Sequence, residues 1–100
     1  MNYTVLGKGP HAVRVRFRPG GVELRVHGSL ISGNQDMARA LRWVLNHREA
    51  SADDIAELGE SVTLEDICRL LTDLAPHGVP LSAWGNWWSR ECARRAEVVQ

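Results

Sequence analysis

Four histidines and two cysteines are the side chains of this chain best suited to hold a metal or attack a substrate, and their spacing supports neither role. His11, His27, His47 and His77 stand apart without a partner at metal-ligand separation. Cys68 and Cys92 lack the paired Cys-x2-Cys arrangement that marks a zinc site. No phosphate-binding loop, Gly-x-Ser-x-Gly elbow or cysteine-nucleophile motif is present. The acidic pairs Asp53-Asp54 and Glu65-Asp66 fall where helices begin, and the positive end of the helix dipole accounts for carboxylates there. The pattern points away from catalysis, and neither a metal nor a cofactor is expected. Each cysteine sits at core-like helical spacing, which predicts a buried, reduced thiol rather than a disulfide.

The remaining chemistry is that of recognition. Trp84, Trp87 and Trp88 are followed closely by Arg90, Arg94 and Arg95, and Trp and Arg are the residues most enriched among the energetic anchors of protein interfaces. On a helix begun at Ser82, Trp84, Trp88, Cys92, Ala96 and Val99 share one face, while Trp87, Arg90 and Arg94 share another. Two readings follow: all three tryptophans build the core, or Trp87 stands exposed beside Arg90 and Arg94 as a docking patch. A second candidate surface lies in the first third of the chain, where Arg14, Arg16, Arg18 and Arg25 alternate against Glu23 alone. Such a face is either plain solvated surface or a patch that steers the protein toward an acidic surface or a phosphate chain.

Overall charge weighs on that choice. Twelve basic side chains balance 12 acidic ones, whereas a protein living on a phosphate backbone usually carries a basic excess. The signs are unevenly spread. Lys8 joins the early arginines, and Asp53, Asp54, Glu57, Glu60, Glu65, Asp66 and Asp73 make the middle acidic. No charged leader followed by an apolar run and no apolar stretch of about 18 residues is seen, so the expected setting is the cytoplasm, without a membrane partner.

These side chains must be positioned by one α+β domain, since 100 residues suffice for a single modest core. Residues 1–30 read as a hairpin region. Val13, Val15 and Phe17 alternate on one side of a first run, with Val22, Leu24 and Val26 on the matching side of a second. Pro19-Gly20-Gly21 forms the antiparallel connector, and residues 3–6 offer a short third strand beyond Gly7-Lys8-Gly9-Pro10. Residues 31–100 read as about four helices. The first starts near Ser32 to Asn34 and carries the stripe Met37, Ala40, Leu41, Val44 and Leu45, with Trp43 off the stripe and covered by the hairpin or exposed. A short second helix starts at Ser51 to Asp54, contains Ile55 and Leu58, and ends at Gly59. Thr63 and Asp66 cap a third, with Leu64, Ile67, Cys68, Leu71 and Leu74 inward. Pro76, Gly78 and Pro80 end it, and the fourth opens at Ser82 or Ser89.

The run Leu64, Ile67, Cys68, Leu71, Gly78-Val79-Pro80, Gly85, Trp88-Ser89, Arg94-Arg95 resembles the helix-turn-helix downstream of the catalytic domain in large serine recombinases. That resemblance spans about a third of the chain and departs from the family in a longer Leu71-to-Gly78 spacing, an added Trp87, and Leu81 after the proline. It implies at most a DNA-reading scaffold, with Arg90, Arg94 and Arg95 on the reading helix. In size, architecture and its Trp/Arg-bearing surface the chain is also similar to small phage-encoded anti-CRISPR proteins. That likeness implies a non-catalytic phage or mobile-element protein that docks onto a host protein or nucleoprotein complex and inhibits or regulates it. A small helix-turn-helix regulator bound to double-stranded DNA is the alternative.

Overall fold

The computed structural model describes residues 3–7, 9, 12–58 and 62–98. Lys8, Pro10, His11, Gly59 as a helix terminator, Glu60 and Val99 lie outside them. The fold is α+β, with an antiparallel four-stranded sheet in the order β1-β2-β3-β4, formed by Thr4–Leu6, Val13–Arg18, Gly21–Val26 and Ser29–Asn34. The expected hairpin and short third strand are present, and β4 is an addition that the sequence reading missed. His27 and Gly28 form its two-residue turn with φ of 50° and 85°, the paired positive values that match the twist of adjoining strands.

Gly21 is also reassigned. Instead of serving the turn it is the first residue of β3, and a Cβ there would collide with the Gly33 carbonyl oxygen on β4. Glycine at this position admits the close approach of the two backbones.

Alternation divides the sheet. Leu6, Val13, Val15, Val22, Leu24 and Val26 turn inward and are buried. α1 (Gln35–Asn46) packs on β3 and β4, α3 (Leu64–Leu74) on α1, and α4 (Asn86–Val98) on α3; with Ile55 of the short α2 (Ala52–Ala56) they complete one hydrophobic cluster. Caps set the helix starts. The Asn34 side chain accepts from the Met37 N–H, which resolves the α1 start in favour of Asn34 over Ser32. Ser51 and Asp54 form a reciprocal capping box on α2, and Thr63 accepts from the Asp66 N–H on α3. Leu58 falls beyond the end of α2.

The tail differs from one helix opening at Ser82 or at Ser89. Residues Leu81–Trp84 form a separate 3-10 turn, and Gly85 then takes φ 120°, ψ 160° before α4 starts at Asn86. That backbone region is in practice reserved for glycine. The break puts Trp84 on the turn and Trp87 and Trp88 in the first turn of α4.

Leu41, Val44, Ile67 and Leu71 are all fully buried, at the centres of the α1 and α3 stripes. Leu71→Ala should therefore lower unfolding stability by about 2–5 kcal/mol in a urea titration. A loss below about 1 kcal/mol would contradict its central position.

Candidate docking surfaces

The tail tryptophans are built into the domain. Trp84 and Trp88 are fully buried, and Trp87 is half-buried. Trp88 occupies the junction between α4 and the end of α1. Its Nε1–H donates to the His47 carbonyl at 2.9 Å, and its ring lies edge-on to Trp43 at 5.8 Å and to Trp87 at 4.8 Å. His47 stacks on Trp43 at 4.2 Å, and its Nδ1–H donates to the Trp43 carbonyl at 2.9 Å. Trp43 thus takes its ring partners from α4 and from its own helix end, not from the hairpin. Arg48 adds a second tie, donating to the Ala83 carbonyl. These bonds serve carbonyls near a helix end, where intrahelical donors run out.

Trp87 consequently has an intramolecular use. It packs on Trp88 and the core cluster and leaves only part of its ring to solvent, so the fully exposed anchor beside Arg90 and Arg94 is not what forms. Arg94 and Arg95 both reach back to Glu91, with Arg95 Nε at 3.0 Å. The Arg94 hydrogen bond, helped by Arg95, holds the Glu91 carboxyl below its ordinary value. Arg90 is exposed and makes no ion pair among the described residues.

The other predicted set does share a surface. Strand register places Arg14 opposite Arg25, Arg16 opposite Glu23, and Arg18 opposite Gly21. All project from the side of the sheet away from the helices. Arg14, Arg18 and Arg25 are exposed and Arg16 is half-buried. Glu23 is taken by Arg18 in an ion pair, so it neutralises neither member of the Arg14–Arg25 pair. The register extends that pair across the whole sheet, with Val5 beside Arg14 and Leu30 beside Arg25. Val5 and Leu30 are 56% and 54% exposed. Leu30 belonged to no predicted element, because β4 has too few apolar residues for alternation to reveal it. The structure does not unite the sheet arginines with Trp87, Arg90, Arg94 and Arg95, whose helix belongs to the opposite layer.

No family model matches the chain, and no curated protein and no solved structure matches it. No described helix is long and apolar enough to cross a membrane.

Two predictions test the tail. The Trp84 Nε1–H is buried without an acceptor among the described residues, whereas that of Trp88 is satisfied. Trp88→Phe should therefore destabilise more than Trp84→Phe by about 1–3 kcal/mol in chemical unfolding, and the reverse order would refute the bonding pattern. For Glu91, a folded-state pKa below the unfolded value means stabilisation that is present above roughly pH 4 and lost as the pH falls through the lowered folded value. Melting curves of the native protein and Glu91→Gln should differ at pH 7 and converge in acid. A gap independent of pH would remove the ion pairs as its cause.

Proposed function

We propose that the protein is a small non-catalytic docking module, and that the outer sheet face engages an acidic surface of a host protein complex. Inhibition or regulation of that complex, in the manner of an anti-CRISPR phage or mobile-element protein, is the role this reading favours, in the cytoplasm. One observation carries it: the uncovered Val5–Arg14–Arg25–Leu30 row. Like charges directly opposite each other on neighbouring strands are destabilising, and apolar side chains at both ends of the row gain nothing in water. An acidic partner would relieve the repulsion, and a partially apolar one would cover Val5 and Leu30. Both gains arise only on binding.

The helix-turn-helix alternative has weaker support. Residues 75–85 separate α3 from α4, against the three or four residues of the usual turn. Two of the three arginines assigned to the reading helix are engaged by Glu91, and the chain has no net basic charge to drive phosphate binding.

The sheet-face reading makes stability and binding move in opposite directions. Arg14→Glu converts the opposed arginines into an opposite-charge pair, and stability should rise by about 0.2–1 kcal/mol. In affinity capture from a nuclease-treated bacterial lysate at low salt, the native chain should retain a protein partner. The doubly reversed Arg14→Glu/Arg25→Glu chain should lose it while melting near the native temperature, since a like-charge pair is preserved. Undiminished capture by the double variant would exclude this face, and recovery of duplex DNA that nuclease removes would favour the helix-turn-helix alternative.

A further inference from the structure

Between the β2–β3 turn and α1 lies an open cleft of about 500 Å³, the size of a small-molecule site. Arg18, Arg39 and Arg42 line it, and no carboxylate does. Gln35, Arg39 and Arg42 recur at i, i+4 and i+7 on α1, so helical spacing turns one stripe of the helix toward the cleft. Buried Ala38 and half-buried Phe17 supply an apolar wall.

We propose that this cleft binds a small organic phosphate monoester, its dianionic phosphate held by Arg39 and Arg42 and its apolar part against Phe17, Pro19 and Ala38. The site is separate from the Val5–Arg14–Arg25–Leu30 row and does not depend on what that row engages.

The charge balance selects a dianion. Arg18 is already neutralised by Glu23. Arg39 lies 3.9 Å from Asp36, but both side chains are more than half exposed, and such pairs contribute little. Arg42 makes no ion pair among the described residues; its guanidinium lies over the Phe17 ring at 4.5 Å. Two guanidiniums about one helical turn apart therefore share a cleft without a firm counter-charge, in a chain whose total charge is zero, and like charges at such spacing repel. A phosphate monoester carries nearly two negative charges at neutral pH and offers three acceptor oxygens, which the planar fork of arginine matches bidentately. A carboxylate would leave one guanidinium unbalanced. Contact with Phe17 also holds the Arg42 head group in place before a ligand arrives, which lowers the ordering cost of binding.

The test titrates the isotopically labelled full-length chain with phenyl phosphate at constant ionic strength and about pH 8, above the second phosphate pKa of roughly 6, and follows nuclear magnetic resonance shifts. A saturable one-site curve is expected, with shifts centred on the Arg39 and Arg42 side chains. Phenyl sulfate, of the same shape with a single negative charge, and inorganic phosphate, without the ring, should each bind at least about threefold more weakly. Arg39→Gln should weaken phenyl phosphate binding at least about fivefold, as expected for loss of one charge-assisted hydrogen-bonding partner in a partly exposed site. Arg69→Gln is the matched control, because Arg69 is similarly exposed and lies 4.0 Å from Glu65 on α3; it should leave binding unchanged. Arg39→Gln/Arg42→Gln should abolish saturation. Circular dichroism verifies each fold, and if the double variant fails to fold, the contrast between Arg39→Gln and Arg69→Gln decides the matter. Shifts that climb without saturating, equal losses in Arg39→Gln and Arg69→Gln, or either comparison anion bound as tightly as phenyl phosphate would each overturn the proposal.

Discussion

The hydrogen bond from the Trp88 indole to the His47 carbonyl joins the end of α1 to the start of α4, and the arrangement of the helical layer depends on it. The bond is made by a fully buried side chain, where loss of one partner leaves the other polar group without compensation. Around it, Trp43 and Trp87 meet the Trp88 indole edge-on, and His47 stacks on Trp43. The Gly85 break makes this geometry attainable, because it lets α4 set off in its own direction after the Trp84 turn. A cluster that reads in sequence as a recognition element is in space the fastening of the tail.

With the tryptophans so occupied, the two layers differ in how their charged side chains are paired. The sheet turns inward the buried Leu6, Val13, Val15, Val22, Leu24 and Val26. Its outer face combines adjacent arginines with exposed Val5 and Leu30. The contrast between the two layers is informative. In the helical layer Glu91 satisfies Arg94 and Arg95, and Arg42 lies over the Phe17 ring at 4.5 Å. On the outer sheet face Arg14 and Arg25 lie opposite each other between Val5 and Leu30, and neither makes an ion pair among the described residues. Domains violate local pairing rules chiefly where function requires it.

Much of the architecture was legible in the sequence. Period-two alternation located β2 and β3, the capping residues Ser51 and Thr63 located two helix starts, the span Ser32 to Asn34 contained a third whose cap is Asn34, and the α1 and α3 stripes located the centre of the core. What escaped has physical reasons. Ser29–Asn34 carries two serines, a glycine and an asparagine, so it has no alternation to detect, and its turn uses His27 at a positive φ that few residues other than glycine adopt. The start of the fourth helix lies at neither Ser82 nor Ser89, because the backbone breaks at Gly85 and α4 begins at Asn86. The sheet arginines were placed on one face correctly, since strand geometry alone decides that. Their significance depends on Leu30 and on the register with β4, neither visible without the fold. Trp87 shows the opposite limit: helical spacing placed it off the buried stripe, yet contact with Trp88 half-buries it.

The central claim is that the outer sheet face, not α4, meets the partner. Hydroxyl-radical footprinting of the chain alone and in its captured complex tests this most directly, because it reads side-chain exposure without substituting any residue. Val5 and Leu30 should be protected on complex formation, with Trp87 reactivity unchanged. Protection of Trp87 while Val5 and Leu30 stay reactive would contradict it.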